Sequence, residues 1–217
     1  MRENMKNSDR YIESMNRWVR FMIREPNGLL SGSLWFLLTC LPIVTIGPAR
    51  LALAHYMHNR ESGCKVSWRS SAAFAFRECG ARGWIMGASD IASLILAVGC
   101  LLFILEESVP FPVRLVYAFF FVFDVLYLLS GIFRYAALAG EGASAKSGLI
   151  MLRGFLMALN NIGWTLMLSF ASLLALLISA ATGVGLVALY PAAAEALGAC
   201  AYDVFIEKYK ASAESSP

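Results

Sequence analysis

The sequence predicts an all-α, polytopic membrane helix bundle, and three observations carry that prediction. Hydrophobic residues make up 59% of the 217 positions and charged residues 15%, whereas soluble domains average about 45–50% and about 25%. The apolar residues are gathered into blocks long enough to cross a bilayer. Basic residues lie between the blocks, and short basic loops stay on the cytoplasmic side. We expect about five full spans and one short return helix.

The apolar blocks divide the chain into three parts. The blocks cover 29–46, 84–105, about 113–137, about 162–181 and about 184–206. We therefore expect a cytoplasmic amphipathic helix in 1–28, a single transmembrane bundle over 29–207 and a cytoplasmic tail at 208–217. Arginines before the first block and Lys208 and Lys210 after the last one place both termini in the cytoplasm. Arg134 stands near the end of the third block and is interpreted, with the basic residues that follow it, as one more cytoplasmic loop charge.

Residues 8–25 have the pattern of a helix that lies on the inner membrane surface. Met15, Trp18 and Met22 share one face with neighbouring apolar residues, and the arginines occupy the other face. Pro26 marks its end. An amphipathic helix with arginines and a tryptophan suits the headgroup layer of a bilayer.

The stretch LPIVTIGPARLALAHYMHNR at 41–60 combines helix breakers with a charge. The basic segment 60–82 and the N-terminal arginines both favour the cytoplasm, so one crossing between them would place them on opposite sides. A hairpin turn at Gly47-Pro48 removes this conflict and makes 49–60 a return helix. Such a helix is about 18–21 Å long and too short for a core of about 30 Å.

The hairpin pattern recurs twice more along the chain. Pro112 and Pro191, like Pro48, stand near the start of a returning helix, where the missing N–H costs nothing. Polar or basic lead-in segments at 8–25, 65–80 and 146–159 precede the outgoing helices. One interpretation is three helical hairpins with cytoplasmic amphipathic lead-in helices. The alternative is a chance match between apolar segments.

Asp124 is the main candidate for a substrate-binding residue, because it lies in the middle of the third block. A carboxylate at that depth needs a partner, water or a proton. Tyr117 and Tyr127 share its helix face and could bind a polar solute with it, and Asp90 on the second block is a further candidate. The alternative for Asp124 is a structural hydrogen bond to a neighbouring helix. For Asp90 the alternative is packing through the small residues Ser89, Ser93 and Ala97.

Arg50 and Glu195 form a second candidate pair, since each follows a hairpin proline closely. An ion pair between them would offset the cost of burying either charge. The alternative is that Arg50 reaches the outer headgroups.

Metal and enzyme chemistry find little support in the sequence. His55, His58, Glu61 and Cys64 recur at every third position, but no second cluster completes a metal site, and a polar helix end explains them. P-loop, GxSxG, HExxH and CxxC motifs are absent from the sequence. We therefore expect no cofactor, no metal and no enzymatic activity, with an enzyme of lipid-linked substrates as a remote alternative.

The string PIVTIGPA at 42–49, with Trp35 before it, resembles the signature of the YesL-like family of bacterial integral membrane proteins. The segments SWRSSAAFAFRECGARGW and GLIMLRGFLMALNNIGWTL are similar to that family's later helices, whereas Arg50 and AHYMHNR depart from its pattern. The resemblance implies a small multi-pass protein of the bacterial plasma membrane, often associated with carbohydrate uptake, and it supplies no catalytic residues.

From this resemblance we expect an accessory or regulatory partner of a carbohydrate (ABC-type) uptake system. Its partners would be the lipid bilayer and either importer subunits or further copies of the chain, and nothing indicates nucleic acid. The alternative is a self-sufficient small-solute carrier or channel with a site around Asp124.

Overall fold

The computed structural model of the protein describes residues 2–141, 147–181 and 190–214, which form helices joined by short turns. A 3-10 turn at Ile43–Thr45 precedes α3, and a π-helical turn at Phe74–Glu78 extends α4. The helices are α1 (Arg2–Arg24), α2 (Pro26–Cys40), α3 (Ile46–Glu61), α4 (Trp68–Ala73), α5 (Ala81–Leu105), α6 (Phe111–Leu129), α7 (Gly131–Glu141), α8 (Ser147–Asn160), α9 (Ile162–Ala181) and α10 (Tyr190–Glu214).

Each predicted lead-in segment is a helix that breaks just before an outgoing helix. Glu25 separates α1 from α2, and Pro26 then starts α2 at a position that needs no N–H partner. Gly80 separates the π-helical turn from α5 with a φ of +49°, a conformation that favours glycine. Asn161 separates α8 from α9 at a bend of 95°. The chain therefore repeats the order of lead-in helix, break, outgoing helix and returning helix.

The expectation of about five full spans is not supported. In the described residues, α5 and the stretch Phe111–Gly140 (α6 and α7) are long and apolar enough to cross a membrane, and these helices indicate a membrane protein. A third span exists only if the bent pair of α8 and α9 counts as one. The first apolar block does not form a full span. Its helix α2 has 15 residues and is therefore about 22 Å long, whereas the hydrocarbon core of a membrane is about 30 Å thick.

The first hairpin turn lies earlier than Gly47-Pro48. The chain leaves α2 after Cys40 and turns through 41–45. The Thr45 hydroxyl holds this turn by donating to the carbonyl of Pro42 at 2.7 Å and to that of Thr39. Gly47 and Pro48 occupy the first turn of α3, where proline is tolerated. Pro48, which the sequence pattern placed in the hairpin turn, therefore marks the start of the returning helix.

The other two turn prolines hold equivalent positions. Pro112 is the second residue of α6, and the loop at 106–110 makes the turn before it. Pro191 is the second residue of α10. The segment 182–189, where the third turn was expected, lies outside the described residues. α10 continues to Glu214, so the expected tail starts within this helix.

The core is a triangle of the returning helices α3, α7 and α10, each of which contacts the other two. Arg50 approaches Gly131 and His58 approaches Gly140, so α3 and α7 run in the same direction. Glu195 and Tyr202 of α10 follow the same order beside them. Alanines and glycines let the three backbones approach closely, as small residues do between membrane helices. The buried apolar residues of this triangle include Ala49, Leu51, Ala52, Leu53, Ala54, Phe133, Tyr135, Ala136, Ala137, Leu138, Ala192, Ala193, Ala196, Leu197, Cys200 and Ala201.

Helices α5 and α6 form a long antiparallel hairpin that starts at this triangle. At its base, Gly47 of α3 crosses Gly83 and Gly87 of α5 so closely that a Cβ on Gly47 would lie 2.2 Å from the Gly83 carbonyl oxygen. Further along, the hairpin exposes large apolar side chains on many sides, as a lipid-facing element does. They include Leu94, Ile95, Leu96, Val98, Leu101, Leu102, Phe103, Leu105, Phe111, Val113, Leu115, Val116, Phe119 and Phe120.

Candidate functional site

Four charged side chains from four helices form a connected network where the hairpin meets the triangle. Arg50 of α3 lies between two carboxylates, with Nε 2.5 Å from Glu195 Oε1 of α10 and Nη1 3.5 Å from Asp90 Oδ2 of α5. Asp90 Oδ1 in turn lies 2.6 Å from Nη2 of Arg134 on α7. The charges alternate in sign and their sum is zero. We call these four residues the charge network.

Arg134 is the most deeply buried member, with no exposed surface. Its Nε donates to Ser130 Oγ at 3.1 Å, and its Nη1 donates to the Tyr127 hydroxyl at 2.6 Å. Its guanidinium also stacks over the Tyr127 ring at 3.8 Å from the centroid. The interpretation of Arg134 as a cytoplasmic loop charge is therefore wrong, because α7 continues the span of α6 and turns this arginine toward α5.

Two tyrosines extend the charge network on either side of Asp90. The Tyr135 hydroxyl donates to Asp90 Oδ2 at 3.1 Å, and the Arg50 guanidinium lies 4.4 Å from the Tyr135 ring centroid. The Tyr127 hydroxyl, which accepts from Arg134, donates to Ser89 Oγ at 2.7 Å. Asp90 therefore receives charge-assisted bonds from both Arg134 and Tyr135, and such bonds offset the cost of removing it from water.

The charge network has one open end, at Glu195. This residue is 5% exposed, and its Oε2 is buried without a hydrogen-bond partner among the described residues. The Arg50 side chain beside it is 28% exposed. A buried oxygen without a partner costs about 1–3 kcal/mol. Glu195 is therefore the position in the charge network that could accept a proton, a water molecule or a donor group of a solute.

The structure brings some of the predicted site residues together and separates others. The predicted Arg50–Glu195 ion pair is present. Asp90 and Tyr127 belong to one cluster because both bond to Arg134.

Asp124 and Tyr117 have different environments from Asp90 and Tyr127. Asp124 is buried and accepts from Ser93 Oγ at 3.1 Å, which is the structural hydrogen bond weighed as its alternative. The Tyr117 ring stacks on Phe103 with a centroid distance of 4.7 Å. The four residues predicted to bind substrate therefore contact three different sets of neighbours.

Three features near the charge network escaped the sequence reasoning. Arg134 was one, since its partner Asp90 is 44 positions away. The Gly83-x-x-x-Gly87 spacing on α5 is a known signal for close helix approach and could have been used. The third is the role of Ser89 and Ser93, which were interpreted as packing residues and prove to be hydrogen-bond partners of Tyr127 and Asp124.

The histidine segment of α3 forms a polar cluster that has the residue types of a hydrolase site. His55 Nδ1 lies 3.1 Å from Ser71 Oγ, and His55 Nε2 lies 3.2 Å from Asn59 Nδ2. The same Asn59 amide donates to the His55 carbonyl, so Nε2 accepts and Nδ1 donates to Ser71. Ser71 is fully buried, so this cluster does not present an activated nucleophile.

The other histidine lies at the end of the core triangle that is remote from Arg50. His58 Nδ1 is 3.7 Å from Asp203 Oδ1, and Cys64 is exposed beyond the helix end. Within 2–141, 147–181 and 190–214, no group of three or more His, Cys, Asp or Glu side chains is placed to hold a metal ion.

A cavity of about 340 Å³ lies between α7, α8 and α10, and none of its lining residues belongs to the charge network. Its walls are mostly apolar, with Arg153, Asn160 and Tyr202 as the polar members.

No protein-family model, characterised protein or solved structure matches the chain at a significant level. The resemblance of residues 42–49 to the YesL-like family therefore stays a prediction.

Proposed function

We propose that the protein is a non-enzymatic membrane protein that acts as an accessory or regulatory partner of an uptake system. Carbohydrate importers of the ABC type are the class that the resemblance at 42–49 indicates. The charge network carries the proposal. Its polar groups bond mainly to one another and link four helices, as expected of a scaffold whose interior is fixed rather than of a path lined with free polar groups.

The surfaces of the molecule support a role in docking. The α5–α6 hairpin offers an apolar surface to lipid or to the spans of a larger complex. Helix α1 exposes Arg20 and Arg24, and α4 with the π-helical turn after it exposes Arg69 and Arg77. A subunit of this kind would leave the solute path and ATP hydrolysis to its partners.

The proposed topology places both termini and the lead-in helices α1, α4 and α8 at the cytoplasmic face of the bacterial plasma membrane. The repeated element order supports it, since each lead-in helix is followed by an outgoing and a returning helix. We also propose that the chain consists of three such hairpin units. Helices α3, α7 and α10 are the equivalent cytoplasmic parts of the three returning stretches, the second of which is α6 followed by α7. Their mutual contacts and common direction support this repeat.

Retention of importer subunits tests the proposed partnership. The tagged full chain is extracted from native membranes in mild detergent after brief cross-linking, and captured proteins are identified by mass spectrometry. We expect membrane subunits of a carbohydrate importer to be enriched over a control capture with another tagged membrane protein of similar size. Equal recovery of such subunits in both captures would contradict the proposal.

A self-sufficient carrier or channel remains the second candidate, and one observation favours it. Glu195 Oε2 has no partner, and the neighbouring Arg50 is partly exposed, so the charge network could receive a small ligand at this end. Flux into liposomes that contain the purified protein tests this function. A carrier would move a sugar, an ion or protons in a way that Glu195→Gln or Asp124→Asn alters. Absence of flux for every tested solute would leave the accessory function as the better account.

A further inference from the structure

Helix α1 exposes an apolar stripe beside its arginines, and the proposed docking role does not account for that stripe. One face is fixed to the core, because Ser14 and Phe21 are buried and the Trp18 indole N–H donates to the Ala193 carbonyl at 2.9 Å. The opposite side exposes Ile12, Val19 and Ile23, and Ile23 is 76% exposed. These three residues are seven and four positions apart, so they form one stripe along the helix.

A row of arginines flanks the apolar stripe. Arg17, Arg20 and Arg24 follow one another at helical spacing, and with Phe21 and Glu61 they line a groove of about 260 Å³. Glu13 is close to this row and pairs with Arg17 at 2.7 Å. Arg20 and Arg24 are exposed and lie between the stripe and the buried face. The outward surface of α1 therefore combines apolar side chains with a net positive charge.

The position of α1 in the chain indicates which surface it meets. A single residue, Glu25, connects α1 to α2. Helix α2 exposes Leu30, Leu34 and Leu38 along one side, directly after the stripe on α1. The chain also contains helices long enough to cross a bilayer, so lipid is the apolar phase that the exposed leucines of α2 and the stripe on α1 would share.

We propose that the α1 surface binds the anionic phospholipid headgroups of the adjoining membrane leaflet. The stripe of Ile12, Val19 and Ile23 enters the boundary between headgroups and acyl chains, and Arg20 and Arg24 donate to lipid phosphates. Each arginine near an anionic surface contributes on the order of fivefold in affinity. An acidic protein surface would satisfy the arginines but would leave the apolar stripe in water, which favours lipid as the occupant.

The test compares lipid binding by the full chain with and without the two exposed arginines. The purified protein is titrated with phosphatidylglycerol or phosphatidylcholine in detergent, and bound lipids are counted by native mass spectrometry. The α1 variant is Arg20→Gln/Arg24→Gln. Arg69→Gln/Arg77→Gln is the matched control, since it removes two exposed arginines from the α4 region.

We expect the wild type to prefer phosphatidylglycerol, the α1 variant to lose on the order of tenfold or more of that affinity, and the control to stay within about twofold of wild type. Thermal unfolding in neutral lipid, unchanged by either pair of substitutions, verifies that both variants fold. Equal binding of the two lipids by the wild type would overturn the proposal. So would an equal loss in both variants, or unchanged lipid binding with loss of an acidic protein partner in the α1 variant alone.

Discussion

The core triangle and the α5–α6 hairpin differ in what surrounds their side chains. The core of the triangle of α3, α7 and α10 is buried in protein, and its arginines Arg50 and Arg134 are bonded in the charge network. The hairpin is covered by little else in the described residues and exposes apolar side chains along most of its length. The difference predicts that substitutions at the triangle change stability strongly, whereas apolar exchanges on the outer hairpin change it little.

The largest effect is expected for Arg134→Ala. This change leaves Asp90 and Tyr127 without their main partner in a buried place, and breaking a buried ion pair costs about 3–5 kcal/mol. Unfolding in detergent, followed by circular dichroism or thermal precipitation, measures the loss. Arg77→Ala is the control, because this arginine is exposed, and we expect it to change stability by about 0.5 kcal/mol or less. Similar stability of the two variants would contradict the buried position of Arg134.

A smaller effect is expected where α3 crosses α5. A Cβ at Gly87 would meet the Gly47 Cα at 2.5 Å, whereas a Cβ at Gly99 of the same helix meets nothing within 4 Å. We expect Gly87→Ala to destabilise the fold by about 1–3 kcal/mol through overpacking. Gly99→Ala should be neutral or stabilising by up to about 1 kcal/mol, since alanine favours helix. A comparison of their thermal midpoints checks this, and a neutral Gly87→Ala would contradict the close crossing.

The hydrogen bond between Ser93 and Asp124 should contribute still less. Such bonds between membrane helices average about 0.6 kcal/mol and reach about 1.7 kcal/mol. A double-mutant cycle with Ser93→Ala and Asp124→Ala should therefore give a coupling within that range. Additive effects of the two substitutions would mean that Asp124 does not bond to Ser93. The Asp124 carboxylate would then be available for its predicted role in solute binding.

Cysteine labelling distinguishes exposed from buried positions on either side of α4. Cys64 is exposed, whereas Cys79 is buried and its pKa is raised to about 11 by that burial. At pH 8 roughly a thousandth of Cys79 is thiolate, the nucleophilic form. In a chain that retains these two cysteines and has serine at the other three, a membrane-impermeant maleimide should label Cys64 and spare Cys79.

The same labelling reports the proposed topology. Cys64 follows α3 and should react in inside-out membrane vesicles but not in intact cells. Labelling of Cys64 from outside intact cells would contradict the cytoplasmic placement of the α3–α4 loop.

The sequence predicted relations that depend on local pattern and missed those that depend on partners far along the chain. The bounds of α9 at Ile162–Ala181 coincide with the predicted block, and Arg50 and Glu195 were paired because each follows a proline that starts a returning helix. The expected number of spans is not supported, because the turn at 41–45 breaks the first block and apolar residues alone did not reveal where the helix ends. Arg134 was assigned to a loop because the spacing of arginines along the chain does not show which carboxylate an arginine contacts in the folded protein.

A double-mutant cycle between Arg50 and Glu195 tests the central claim most directly, namely that the charge network holds α3 and α10 together. The variants Arg50→Gln, Glu195→Gln and the double substitution are compared with wild type by unfolding in the same detergent. We predict that the double variant loses less stability than the two single losses added together, with a coupling of at least about 1.5 kcal/mol, as found for close charge pairs in buried settings. Additive losses, with a coupling near zero, would contradict the charge network as the element that joins the returning helices.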